Sequence, residues 1–233
     1  MVDYLFQNWQ TLIRDLLFAV LGAWIGAAIA IYRDNKAKPN LVVEPGSLAD
    51  GIYDWIKKPS RFIHLKVTNQ KWLTWWENFW HGVKPALFCK AKLEFLEPQT
   101  KTLICSFQGR WSSTPQPLIP SGPNPNVGHF DPARAMSGEI ENILPEEEKE
   151  ISVAFKIEGD DGFVGFNNWS YLWSKENWKN PEWWVKDGSV LLKVTLWWDS
   201  GKLEKCFVIS NEQKTTKSFH IENYPNQNCK ETL

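Results

Sequence analysis

Hydrophobic and polar positions divide this chain into two regimes. Residues 16–32, LLFAVLGAWIGAAIAIY, form an apolar run without a single charge. From residue 41 onward the pattern changes to a period of two, which is the signature of strands with one face turned inward.

The apolar run reads as a transmembrane helix. Its length as a helix is about 25 Å, near the lower limit for crossing a bilayer, and Leu12 and Ile13 extend it. Arg14 is close enough to the end to snorkel to the headgroups. Tyr4, Trp9 and Tyr32 suit the interfaces, whereas Trp24 sits mid-span. The segment RDNKAK at 33–38 then ends the run as a stop-transfer sequence does. AIA at 28–30 has the form of a signal-peptide cleavage site, but residues 1–13 contain no Lys or Arg, so the basic n-region is missing. The expectation is an anchor over residues 1–36, a short linker at 37–40, a β domain over 41–224 and a flexible tail at 225–233.

Alternation is cleanest at 61–69, with Ile63, Leu65 and Val67 on one face. At 86–96, Leu87, Cys89, Ala91, Leu93 and Phe95 share a face opposite Lys90, Lys92 and Glu94. Residues 41–45 form a short strand in this reading. Residues 101–111, 150–157, 189–198, 202–210 and 217–224 add further strands. The 86–96 and 101–111 runs predict a hairpin. DSG at 199–201 predicts another, with a three-residue loop and Gly201 free to take a positive φ. The expected fold class is mainly β: an antiparallel β-sandwich, immunoglobulin-like or fibronectin type III-like, with solvated outer faces, plus one transmembrane helix and a short Trp-rich amphipathic helix. Residues 112–136, with six prolines, read as a plain surface loop. EGDDG at 158–162 reads as a turn.

The amphipathic helix is KWLTWWENFWHGV, residues 71–83. At 100° per residue, Trp72, Leu73, Trp75, Trp76, Phe79, Trp80 and Val83 fall within roughly 160° of arc. Gly82 and Pro85 end it. Three roles suit this stripe: packing on the sandwich, lying in the membrane interface, or meeting a partner or a sugar. A second insertion at 167–187 holds Trp169, Trp173, Trp178, Trp183 and Trp184. The candidate interface or ligand surface is therefore Trp72, Trp75, Trp76, Phe79, Trp80, Trp173, Trp178, Trp183 and Trp184.

Several short motifs, LKVTN at 65–69, FCKAKLEF at 88–95, GRW at 109–111, ILPEEEKEISVAF at 143–155 and NPEWWVKDGSVLLKVTLWWDSGK at 180–202, resemble uncharacterised archaeal and bacterial proteins. Those proteins pair an N-terminal membrane span with a β-sandwich. The resemblance implies the architecture only, with no activity, cofactor or ligand.

Charge sets the orientation. The flank after the apolar run carries Arg33, Lys36, Lys38, Lys57 and Lys58, while the flank before Arg14 carries no basic residue. The positive-inside rule then places the β domain in the cytoplasm. There the four cysteines are reduced, Cys89 and Cys206 act as small buried hydrophobes, and the sequon NWS at 168–170 is incidental. Gly22, Gly26 and Ala30, with Ala19, Ala23 and Ala27 alongside, form a small-xxx-small face and the expected surface for a homodimer.

A net charge of −1 excludes the basic excess of a nucleic-acid binder. No spacing supports zinc, calcium, a nucleophile elbow or a phosphate loop. His64 and His220 lie opposite Ile63 and Phe219 and read as solvated or cross-strand residues. The expected function is a non-enzymatic binding or scaffolding module without cofactor, with the lipid bilayer and an unknown protein as partners. The alternative is an extracytoplasmic module, anchored or secreted, that binds carbohydrate or cell-envelope material.

Overall fold

The computed structural model describes residues 2–53, 57–70, 83–120, 128–176, 178–186 and 188–225. These divide into two compact units, residues 2–38 with 83–84, and residues 39–70 with 85–225.

The first unit is built on α1 (Val2–Lys36). Within it, Thr11–Tyr32 is long and apolar enough to cross a membrane, with a mean hydropathy of 1.9 and 0% of the window buried. Trp24, Phe18 and Leu16 project freely. At 1.5 Å per residue that segment is about 33 Å long, which matches a hydrocarbon core of about 30 Å. The charged pair near its start is internally compensated, because Arg14 Nε donates to Asp15 Oδ1 at 3.3 Å.

The second unit holds the strands, all antiparallel. The first sheet runs in the order β1 (Leu41–Tyr53), β2 (Lys58–Asn69), β9 (Glu148–Ile157), β10 (Gly162–Gly165), β11 (Trp184–Lys186), with β5 (Arg110–Trp111) also on β9. The second runs β14 (His220–Asn223), β13 (Gly201–Ser210), β12 (Val190–Trp198), β3 (Ala86–Leu96), β4 (Leu103–Gln108), with β8 (Glu141–Ile143) on β3. One core joins them: Ile63, Leu65, Ile151 and Val153 from the first sheet meet Ala91, Leu93, Leu192 and Val194 from the second.

The sequence 101–111 is divided between the two sheets. β4 lies in the second and β5 in the first, and Gly109 is the crossing point. A Cβ there would stand 3.0 Å from Ile151 Cγ2 and 3.1 Å from the Ala91 Cβ, so the crossing is tight and a larger residue would have to push these neighbours aside. Immediately after the crossing, the fully buried Trp111 indole donates from Nε1 to the Cys89 carbonyl at 3.3 Å.

Four expectations need correcting. At the start of β3, Ala86 rather than Leu87 is buried, because a bulge between Ala86 and Cys89 shifts the phase. The β12–β13 hairpin pairs Trp198 directly with Gly201, so its loop is Asp199–Ser200. Gly201 is required there for room, since a Cβ would lie 2.3 Å from Trp198 Cζ2. Residues 112–136 are not a plain loop: β6 (Leu118–Pro120) pairs with β7 (Gly128–Phe130), and α2 (Pro132–Ser137) follows. Proline is accommodated because Pro132 starts the helix, where no amide is needed, and Asp131 Oδ1 caps the amides of Ala133 and Arg134 at 3.0 and 3.3 Å.

The outer face of the first sheet is also not solvated along β9, although Lys66, Glu44 and Glu148 on that face stay accessible to water. The insertions cover β9, so Ile151 to Ile157 are all buried. A second apolar cluster forms there from Phe155, Ile157, Val164, Phe166 and Tyr171, with Phe62, Leu118, Phe130, Trp178, Trp183 and Trp184 against it.

Candidate interaction surfaces

Trp72, Trp75, Trp76, Phe79 and Trp80 lie outside the described residues, but the chain on both sides of them is described. The Gln70 amide donates to the Asn40 carbonyl at 2.9 Å, and the Lys84 amide donates to the Ala37 carbonyl at 2.7 Å. Ala37 and Asn40 are three residues apart, hence at most about 11 Å. Each of the described residues that flank the Trp-rich stretch is thus hydrogen-bonded to residues 37–40. Lys84 also places its ammonium 2.5 Å from Asp34. That hydrogen bond, and then the lysine charge, hold the Asp34 carboxyl below its usual range.

Asn69 organises the linker end of the β unit. It is fully buried. Its Oδ1 accepts from the Asn40 amide at 3.1 Å, and its Nδ2 donates to the Ile143 carbonyl at 3.2 Å. Its own carbonyl accepts from Glu146 N–H at 2.8 Å. One side chain thus ties the linker, β2 and the β8–β9 turn together.

Of the second tryptophan group, the structure brings Trp178, Trp183 and Trp184 together as half-buried cover for the first sheet. The Trp178 ring lies 4.8 Å from Tyr171 and 4.9 Å from Phe166 between centroids. Trp183 packs 5.7 Å from Phe107. Lys179 sits over Trp184 at 5.4 Å and pairs with Asp160 at 2.9 Å. Trp173 is half-buried, and its carbonyl receives the Trp178 amide at 2.8 Å. These rings belong to packing more than to an open platform.

Under this cover lies a polar group that sequence reasoning did not place. Ser152 pairs in register with His64 on one side and Arg110 on the other. All three are buried. A bulge between Ile63 and His64 allows both neighbours to be buried, so His64 is not solvated. Arg110 donates to the Trp111 carbonyl at 3.2 Å and the Thr114 carbonyl at 2.5 Å, and lies 5.7 Å from the Tyr171 ring centre. Burial lowers the pKa of His64; the Glu150 charge opposes this and the Arg110 charge adds to it. The arrangement holds a neutral imidazole away from solvent, which suits structure rather than chemistry on a substrate. His220 is half-buried, with Nδ1 2.9 Å from the Ser218 carbonyl and Nε2 2.9 Å from Glu222 of its own strand.

Cys89 and Cys105 are free, buried thiols, each pushed up to about 12 chiefly by burial. Cys206 is buried as expected but is disulfide-bonded, not a free thiol. Asn168 of the sequon is buried and donates to the Ala135 carbonyl at 2.8 Å, so the folded chain presents no acceptor amide there. A Cβ at Gly22 or Gly26 would meet no heavy atom within 4 Å, and Ala30 beside them is exposed, so the small-residue face of α1 is open. A shallow cleft of about 440 Å³ lies beside α2, lined by Thr114, Arg134, Ser137 and Glu141 among others. Among the described residues no group of three His, Cys, Asp or Glu side chains is placed to hold a metal. No protein-family model, no curated protein and no solved structure matches the chain.

Proposed function

We propose that this is a single-pass membrane protein whose β unit, a sandwich of immunoglobulin-like or fibronectin type III-like kind, is held against the bilayer as a non-enzymatic binding or scaffolding module. The observation that carries this reading is the exposed apolar Thr11–Tyr32 segment joined to β1 by residues 37–40 alone. The hydrogen bonds on both sides of the Trp-rich stretch support a place for Trp72, Trp75, Trp76, Phe79 and Trp80 near the headgroups, where indoles are favoured. Gly22, Gly26 and Ala30 offer a second copy of α1 a close approach. In membranes carrying the full chain, alkaline extraction is expected to leave it in the pellet with its N-terminus intact. Release into the supernatant, or a mature chain beginning near Ile31, refutes the anchor.

Sidedness has two readings. The basic residues Arg33, Lys36, Lys38, Lys57 and Lys58 support a cytoplasmic β unit. The disulfide at Cys206 supports the alternative, an extracytoplasmic module that binds carbohydrate or envelope material, because such bonds persist in oxidising compartments. The native thiols cannot report, since Cys89 and Cys105 are buried. Glu212 is exposed, so Glu212→Cys is a suitable reporter. Protection from an impermeant maleimide in intact cells supports the cytoplasmic reading; labelling supports the alternative.

A further inference from the structure

We infer that the linker end of the β unit is itself a bilayer-docking surface, with Phe88 as the side chain that enters the headgroup region. This rests on the membrane-anchor reading proposed above. Five Cα steps separate Lys36 from Leu41, a reach of at most about 18 Å, so this end of the unit cannot stray far from the end of α1. Leu41 pairs with Asn69, Asn69 bonds Ile143, and Ile143 pairs with Ala86, which places the start of β3 at the same end.

Phe88 is 65% exposed and has a φ of 55°. A bulky side chain in the left-handed region is unfavourable, and the bulge that imposes it buries Ala86 and Cys89 on either side while leaving Phe88 itself outside. The conformation is nonetheless held, because the Phe88 amide donates to Asn142 Oδ1 at 2.9 Å. The bulge thus presents an aromatic ring to the outside. Two more apolar side chains share this end. Leu144, next to Ile143, is 55% exposed, and Trp197, opposite Lys90, is 37% exposed. Lys202 lies 5.8 Å from the Trp197 ring, the ring-and-lysine pairing suited to an interface. Charges here are mixed: Lys90 and Lys202 stand near Glu141, Glu204 and Asp199. Attraction to anionic lipid is therefore not the driver. The occupant is a bilayer surface met by apolar insertion, and docking persists in zwitterionic lipid and at high salt.

The test uses the full chain in phosphatidylcholine vesicles with an environment-sensitive fluorophore on Leu144→Cys or, at the opposite end of β3, on Ile104→Cys. Ile104 is 43% exposed and follows Leu103, the partner of Leu96. The wild-type chain treated alike gives the background. Position 144 is expected to shift to the blue and to be quenched by headgroup-labelled lipid, with neither effect at 104. Phe88→Asn, combined with Leu144→Cys, is expected to abolish both. Asparagine tolerates positive φ, so that variant keeps its fold. Equal spectra at 144 and 104 overturn the inference, as does a blue shift at 144 that depends on protein density and not on labelled lipid, which marks a second copy. Loss of alkali-resistant membrane association refutes the anchor as well; retained association with a water-like spectrum at 144 refutes docking alone.

Discussion

Trp111 offers the sharpest test of the two-sheet core. It follows the Gly109 crossing, is 0% exposed, and packs in the shared cluster while its indole donates to Cys89. A buried tryptophan removes about 150–250 Å² from water, worth roughly 4–6 kcal/mol at about 25 cal/mol per Å². Truncation to alanine recovers part of this by relaxation, so Trp111→Ala is expected to cost about 3–5 kcal/mol. Trp111→Phe keeps most of the ring area but leaves the Cys89 carbonyl without this donor. It is expected to cost about 2 kcal/mol, shared between lost area and lost hydrogen bond. Pulsed thiol labelling against urea, with the full chain in micelles, measures this in the β unit alone. Cys89 and Cys105 are buried when it is folded, and α1 contains no cysteine. A loss below about 1 kcal/mol for Trp111→Ala, against a typical total of about 5–15, refutes a single core shared by both sheets. Equal losses for the two variants refute the assigned role of ring area.

Four further outcomes are expected. His64 has a lowered pKa when folded and regains about 6.5 when unfolded, so the unfolded chain takes up the proton first; stability is flat above about pH 6.5, falls with acidification until the folded pKa is reached, and loses that component in His64→Leu urea titrations. Gly165→Ala would place a Cβ 2.3 Å from Phe107 Cε1 and should cost about 1–3 kcal/mol by the same thiol assay. Asn69→Ala removes one buried and one half-buried side-chain hydrogen bond and should cost about 2–3 kcal/mol, with faster hydrogen exchange at the Asn40 amide; unchanged exchange there shows that Asn69 does not hold the linker. Gly26→Ile should abolish α1 cross-linking in lipid, and cross-linking at the wild-type level rules out the small-residue face as the dimer surface.

The strands were legible where alternation is regular. The run at 86–96 is β3 to the residue, and the last strands of the second sheet are displaced only at their ends. What alternation conceals is a change of layer: 101–111 reads as one strand because Gly109 bends the chain without breaking the apolar rhythm. The covered outer face of the first sheet was equally hidden, since the covering side chains come from insertions whose distant partners leave no periodic trace. The candidate surface was partly legible. Phe88 falls on the same face of the alternation as Lys90 and Lys92, and a phenylalanine among lysines was a visible signal. Asn69 had none, because its value lies in three partners distant along the chain.

The outermost strand of the first sheet has a consequence for crowding. β1 is an edge, and it is interrupted at Pro45 by a register shift. Glu150 takes the Ser47 amide at 2.8 Å, and Lys205 takes the Val43 carbonyl at 2.7 Å. Given the anchor proposed above, copies are confined to one plane and oriented alike, and meet sideways far more often than copies free in solution. With Pro45 interrupting it and two of its peptide groups already occupied, the Leu41–Ser47 half of this flank gives a neighbour no continuous ladder to extend. Dense populations can then assemble through chosen contacts without zippering into ribbons.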